Sequence, residues 1–177
     1  LRPHLQRFKP PVITNLFDSF LDALSSRWKT HHEPRSKRAY RCECDAPVFF
    51  RNSECLNCHA PLGYEPVIGD LRALHAGTQP GTWRPVGQDI EQDYRRCANF
   101  DSPVGCNWLV PAGDKHRFCI SCRLNRALPD LDDEDNQRYW RVIEAGKRRL
   151  ISQLSALELP VVSRLEDPNG GLAFDLM

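Results

Sequence analysis

The apolar positions of this chain fall into three regimes. Over residues 12–28, Ile13, Leu16, Phe17, Phe20, Leu21, Leu24 and Trp28 recur at three- and four-residue steps, the period of an amphipathic helix. Pro10 and Pro11 stand just before it, where prolines commonly open helices. The polar side carries Asp18 and Asp22 rather than a run of lysines, so the stripe reads as core or interface, not as a membrane-surface helix. In the middle of the chain the period breaks into short runs. Val48-Phe49-Phe50 predicts a strand, residues 69–90 hold several glycines and prolines and predict a looped connector, and Trp108, Leu109 and Val110 supply apolar filling. Helical periodicity then returns. A helix is predicted over about 134–158 with Trp140, Ile143, Leu150, Leu154 and Leu157 sharing one face. Acidic residues crowd Asp130–Asp135, where a helix dipole favours carboxylates, and Pro160 stops the helix.

Composition narrows the class without naming a chemistry. With 41% apolar and 27% charged residues, 177 residues make one ordinary domain or two small ones and argue against wholesale disorder. No run approaches the roughly 18 apolar residues that span a bilayer. The chain begins at Leu1, and no charged-then-apolar leader follows, so a cytoplasmic protein is expected, its natural start lying upstream. A formal charge of +1 gives no global drive toward nucleic acid or acidic membranes. The basic stretch 29–41, with Pro34 inside, reads as a solvated linker before it reads as a phosphate contact.

The cysteines change the picture. All eight lie between positions 42 and 122, in two quartets: Cys42, Cys44, Cys55 and Cys58, then Cys97, Cys106, Cys119 and Cys122. Two close pairs separated by a loop of about ten residues is zinc-ribbon spacing. Zinc takes four thiolates at about 2.3 Å in a tetrahedron, and a Cys-x2-Cys turn aims two sulfurs at one point. Cys55–Cys58 and Cys119–Cys122 are regular turns of this kind; Cys42-x-Cys44 is tighter and Cys97-x8-Cys106 looser. Two structural zinc ions are therefore expected. Disulfides belong to oxidising compartments, and Cys55-Leu56-Asn57-Cys58-His59 also fits the C-x-x-C-H haem pattern, which would strand Cys42 and Cys44. Sequential pairing closes shorter loops than interleaved pairing and is favoured on entropy. His59 and His116 flank quartets that are already full and read as surface histidines. Eight thiolates and two divalent ions together add −4, taking the formal charge from +1 to −3. Arg41, Arg51, Arg95, Arg96, Arg117 and Arg123, all near ligands in sequence, are read first as compensating charges.

Several motifs in this order resemble a known family. They are Arg41-Cys42-Glu43-Cys44, Phe49-Phe50-Arg51-Asn52, Cys55-Leu56-Asn57-Cys58 and Leu62-Gly63-Tyr64, then Cys106-Asn107-Trp108-Leu109-Val110 and Cys119-Ile120-Ser121-Cys122-Arg123. They continue into Leu128-Pro129-Asp130-Leu131, Trp140, Glu144, Lys147-Arg148-Arg149-Leu150 and Gly171-Leu172-Ala173-Phe174-Asp175. Over residues 40–177 this run resembles the N-terminal zinc-ribbon region of a bacterial family named for zinc-dependent metallopeptidase activity. The resemblance implies a zinc-binding front portion of a hydrolase, with the catalytic H-E-x-x-H helix C-terminal to it. His32-Glu33 begins such a motif, but position 36 is Ser. Family members carry glycine after each of the first two turns, where this chain has Asp45 and His59, so those turns are expected to be strained.

The expected architecture is α+β, with short strands around two four-cysteine units. Residues 1–40 form a helix and linker, 41–66 the first ribbon, 67–128 the second zinc unit, 129–160 a helix, and 161–177 the start of a further, truncated domain. No catalytic residue is assigned. The expected role is scaffold or interaction module for a protein partner or peptide substrate, with a nucleic-acid-binding ribbon as the alternative and no membrane partner.

Overall fold

The structure, a computed structural model, describes residues 39–87 and 92–177. The helix expected over 12–28 lies outside the described residues.

Nine short strands, a single turn of 3-10 helix and one long helix make up the described chain. Strands β1 (Ala39–Arg41) and β2 (Pro47–Phe49) form an antiparallel hairpin, with Tyr40 opposite Val48 and both pointing inward. Five strands follow as an antiparallel meander: β3 (Leu62–Glu65), β4 (Asp70–Ala76), β5 (Trp83–Pro85), β6 (Tyr94–Arg96) and β7 (Leu109–Pro111). This sheet curls until its two ends meet. The Tyr64 N–H donates to the Asn107 carbonyl at 2.9 Å, and Tyr64 pairs with Trp108 in a parallel bridge. Strands from both the 41–66 and the 67–128 stretches therefore share one sheet. At the closure β3 is buried on both faces, and Gly63 is required there: a Cβ would lie 2.7 Å from the Leu109 side chain.

The core sits where the hairpin, the curled sheet and the helix meet. Tyr64 stacks at 4.8 Å on Trp108 and takes the edge of Phe50 at 4.8 Å, and Tyr40 meets Tyr64 edge-on at 6.4 Å. Such pairs contribute about 0.5–1.5 kcal/mol each beyond simple burial. The Arg149 guanidinium covers the outer face of Phe50 at 4.6 Å.

The connector expected over 69–90 is largely a hairpin instead. In Asp70-Leu71-Arg72-Ala73-Leu74, Leu71 and Ala73 are buried while Asp70 and Arg72 are half-exposed, a strand alternation. Gly69 and Gly87 lie in the turns that flank the hairpin, while Gly77, Pro80 and Gly81 fall in one tight turn at 77–81. Asp93 pins that turn. Its carboxylate accepts from the Thr78 N–H at 2.6 Å, the Thr82 hydroxyl at 2.9 Å, the Arg84 Nε at 2.8 Å and the Thr78 hydroxyl. These donors, the Thr78 hydroxyl first, hold its pKa well below the ordinary range.

Helix α1 runs from Glu134 to Ala156, close to the expected 134–158. Asp133 caps it, its carboxylate accepting from the Asp135 and Asn136 N–H groups, so the acidic run does act as a helix start. The apolar face read from the periodicity is only partly buried. Trp140 is buried, but Ile143, Leu150 and Leu157 are 46%, 44% and 51% exposed. The buried side is Trp140, Glu144, Lys147, Arg148, Ile151 and Ser152. Two of these polar side chains, Glu144 and Lys147, are tolerated there because they pair with each other and with Asn125. Lys147 Nζ donates to Glu144 Oε1 at 2.5 Å and to Asn125 Oδ1, and Asn125 Nδ2 donates to the same Glu144 oxygen at 2.8 Å. Asn125 opens β8 (Asn125–Ala127), which pairs in parallel with β9 (Phe174–Asp175). The Phe174 ring lies 5.3 Å from the Lys147 ammonium, closing the network from the other side.

Lys147 and Glu144 are 1% and 0% exposed, so removing one partner strands a buried charge, at about 3–5 kcal/mol. Lys147→Met should lower the unfolding free energy by about that amount, and Glu144→Met with Lys147→Met should recover most of it. Urea denaturation of the two variants and the parent checks this; equal losses in the single and double variants would contradict it.

Candidate metal centres

The eight cysteines gather into two groups, each with all four sulfurs within 4.8 Å of one another. The grouping is sequential. Cys42, Cys44, Cys55 and Cys58 meet at the end of the β1–β2 hairpin, and Cys97, Cys106, Cys119 and Cys122 meet beyond β6 and β7.

Local structure explains how each group is aimed. In the first, the turn after β1 is closed by the Asp45 N–H on the Cys42 carbonyl at 2.9 Å, and the turn at Cys55 by the His59 N–H on the Cys55 carbonyl at 2.9 Å. Both turns end in the left-handed region, at φ 64° for Asp45 and 59° for His59. These are the two places where glycine was expected, and a side chain there carries backbone strain. In the second group, the Cys119 N–H points at the Cys97 sulfur at 3.4 Å and the Cys122 N–H at the Cys119 sulfur at 3.5 Å. All four sulfurs of the second group belong to buried residues, whereas Cys44 and Cys58 of the first are exposed.

The sulfur spacing fits one ion per group. Thiolates about 2.3 Å from a tetrahedral centre are about 3.8 Å apart along each edge. Observed separations are 3.6 Å for Cys42–Cys58, 3.7 Å for Cys44–Cys55 and 3.8 Å for Cys106–Cys119. The cysteines are free thiols, and Cys55 and Cys58 share their cluster with Cys42 and Cys44, which leaves no separate pair for haem attachment. The donor chemistry agrees. Burial pushes the Cys42 thiol up to about 12, while the Ala46 N–H and then Asn57 hold Cys44 down at about 6. In the second group burial pushes Cys119 up, and thiol hydrogen bonds, that of Cys106 foremost, hold Cys97 well down. Neither quartet can carry four negative charges by itself; a divalent cation at the centre is what lets all four ionise.

His59 and His116 take no part in either group. His59 pairs with Glu54 at 2.7 Å, and His116 lies 3.6 Å from Glu166. The arginines read as compensating charges make their direct contacts with other groups than the sulfurs. Arg41 pairs with Asp45, Arg95 donates to the Asp114 carbonyl, Arg96 donates to the Leu62 carbonyl and covers Phe100, and Arg123 pairs with Asp114. Among the described residues no arginine donates to a cysteine sulfur; the one side-chain donor to a sulfur outside the quartets is Asn57, 3.6 Å from Cys44. Those arginines brace the loops that carry the ligands. Asn57, which sequence reasoning passed over, had a signal available: an amide between the two cysteines of a turn is placed to reach a sulfur.

Residues 39–133 match a zinc-ribbon domain family, which is more than half of the chain. The chain belongs to this zinc-ribbon family. Residues 136–177 of the ribbon protein match a second family, described as "Putative zinc-binding metallo-peptidase". The curated relatives it matches include uncharacterized proteins of Mycobacterium bovis and of two strains of Mycobacterium tuberculosis, each 34% identical over 141 residues. That alignment takes in 79% of this chain and 37% of each relative, so the chain spans little more than a third of their length. No solved structure matches it. Among the described residues, no helix is long and apolar enough to cross a membrane.

Relief of the strained turn gives a test of its backbone. His59→Gly should raise the thermal midpoint of the zinc-loaded protein by an amount equivalent to about 1 kcal/mol, since the left-handed penalty for a side chain of about 1–2 kcal/mol exceeds the entropy cost of glycine. Calorimetry of the variant checks this, and a lower midpoint would mean that the Glu54–His59 pair outweighs the strain.

Proposed function

We propose that this zinc ribbon is the metal-held scaffold of a longer metallopeptidase, and that the outer face of α1 is where it meets the rest of that protein. In this reading Cys42, Cys44, Cys55 and Cys58 bind one zinc ion, and Cys97, Cys106, Cys119 and Cys122 bind the other. Both ions are structural, because four protein sulfurs leave no open position for water or substrate. The small core supports this assignment: the strands are two to four residues long apart from β4, and such a loop-rich fold needs a cross-link.

The observation that carries the scaffold reading is the position of α1. The zinc-ribbon match ends at residue 133 and the metallopeptidase match begins at 136, so α1 starts where one family gives way to the other. Its buried side anchors it to the ribbon. Tyr139, Val142, Ile143, Leu150 and Leu157 line the opposite side, 44–66% exposed, within about a third of the helix circumference. A stripe of that size is what a helix keeps for a partner surface. The occupant we assign is the metallopeptidase portion of the same protein, because the chain spans only 37% of its relatives.

Elemental analysis of reduced, purified protein should find two zinc ions per chain. A strong chelator at neutral pH should remove both and abolish the near-ultraviolet circular dichroism of the folded state; full zinc loss with an unchanged spectrum would refute the structural role. Acid should act in the same direction, since protonated thiols do not bind zinc. For the interface, Ile143→Lys with Leu150→Lys should keep both ions and the fold while eliminating capture of a separately produced metallopeptidase portion. Undiminished capture would move the contact elsewhere.

A further inference from the structure

A cavity of about 220 Å3 opens between α1 and the loop that leads into Cys106, with Arg51, Arg141 and Arg148 around it and Pro103, Val104 and Gly105 along one wall. No carboxylate lines it. Six other arginines, Arg41, Arg72, Arg84, Arg123, Arg126 and Arg138, each have a carboxylate oxygen within 4 Å, while Arg95, Arg96, Arg117, Arg149 and Arg164 lie outside the cavity and have none among the described residues. Arg51, Arg141 and Arg148 form no ion pair among the described residues.

Arg148 is the unusual member. It is 3% exposed, its Nη2 donates to the Val104 carbonyl at 3.4 Å, and its Nη1 is buried without a partner. A buried guanidinium without an anion carries a desolvation cost that one carbonyl contact offsets only in part. Nor does it bond to a cysteine sulfur, so the nearby quartet does not satisfy it. Above it, Arg141 is fixed through its Nε on the Pro103 carbonyl at 2.7 Å, which leaves its two terminal nitrogens available. Arg51 is exposed at the rim. Guanidinium forks match the oxygens of phosphate in paired hydrogen bonds, and three cations favour a dianion over a carboxylate.

We infer that this cavity is a binding site for a phosphate-class oxyanion, with Arg148 as its floor and Arg51 and Arg141 as its walls. The site is separate from the zinc centres and from the outer stripe of α1, and it does not depend on the scaffold reading. The phosphate group comes either from free phosphate or from a nucleic-acid backbone; the same three side chains would hold both.

Calorimetric titration of the zinc-loaded chain separates these. With inorganic phosphate at constant ionic strength, saturable one-to-one binding is expected, and acetate should bind more weakly. Arg51→Gln and Arg141→Gln should each lower phosphate affinity about tenfold, the loss expected for a charge-assisted contact, with zinc content and circular dichroism unchanged. Arg138→Gln, on α1 but outside the cavity, should bind as the parent does. Because Arg148 is buried, its variants are judged only if they retain both zinc ions. In the second arm, a single-stranded oligonucleotide that binds more tightly than inorganic phosphate, with the same dependence on Arg51 and Arg141, identifies a nucleic-acid source; phosphate binding without that gain identifies free phosphate. Phosphate heats no different from matched chloride, or parental affinity in the Arg51→Gln and Arg141→Gln double variant, would overturn the assignment.

Discussion

Eight sulfurs packed at tetrahedral spacing impose the central constraint on this fold. Thiolates 3.6–3.8 Å apart repel strongly, and thiols at that distance gain little. The arrangement becomes favourable only around a divalent cation, whose charge offsets half of the four thiolates. What the metal holds is then clear from the chain path. The first quartet ties the β1–β2 hairpin to the turn at Cys55–Cys58, and the second ties the end of β6 to the segment before β8. Between them the sheet can close on Gly63 and bury Tyr64 and Trp108 with few apolar residues, because both of its ends are already fixed.

The buried side of α1 follows from the same economy of apolar residues. Glu144, Lys147 and Asn125 fill space that a larger core would give to leucine, and they connect α1 to β8 and, through Phe174, to β9. Directional bonds of this kind fix one orientation of a helix more sharply than an apolar face could, at a cost in desolvation. Residues 161–177, expected as the start of another domain, lend β9 to this arrangement; the Leu176 N–H also donates to the Ala127 carbonyl at 3.1 Å.

How much of this was legible from sequence depends on the length scale of the signal. The quartets and the ends of α1 were readable because their causes are local: ligand spacing is set by turn geometry, and helix ends by Asp133 and Pro160. The strain at Asp45 and His59 was implied by the resemblance, since family members place glycine at those two positions. The β4–β5 hairpin was obscured by Gly77, Pro80 and Gly81, although Leu71 and Ala73 already alternated with Asp70 and Arg72. For α1, periodicity located the apolar stripe but not whether that stripe faces inward, which tertiary partners decide. Asn125, 19 residues from Glu144, gives no local sign of the network that overrides it.

That arrangement constrains what α1 can be. The helix buries Glu144, Lys147 and Arg148 beside Trp140 and Ile151 and leaves Tyr139, Val142, Ile143 and Leu150 exposed, so the outer stripe gains nothing from water and the inner pair gains nothing from its neighbours unless both partners are in place. It is well suited to lying between two bodies: the specific polar contacts set its orientation on the ribbon, and the non-directional apolar side accepts a second surface without further tuning. The zinc-ribbon match ends at residue 133 and the second family's match begins at 136, so this two-sided helix stands where one family match gives way to the other.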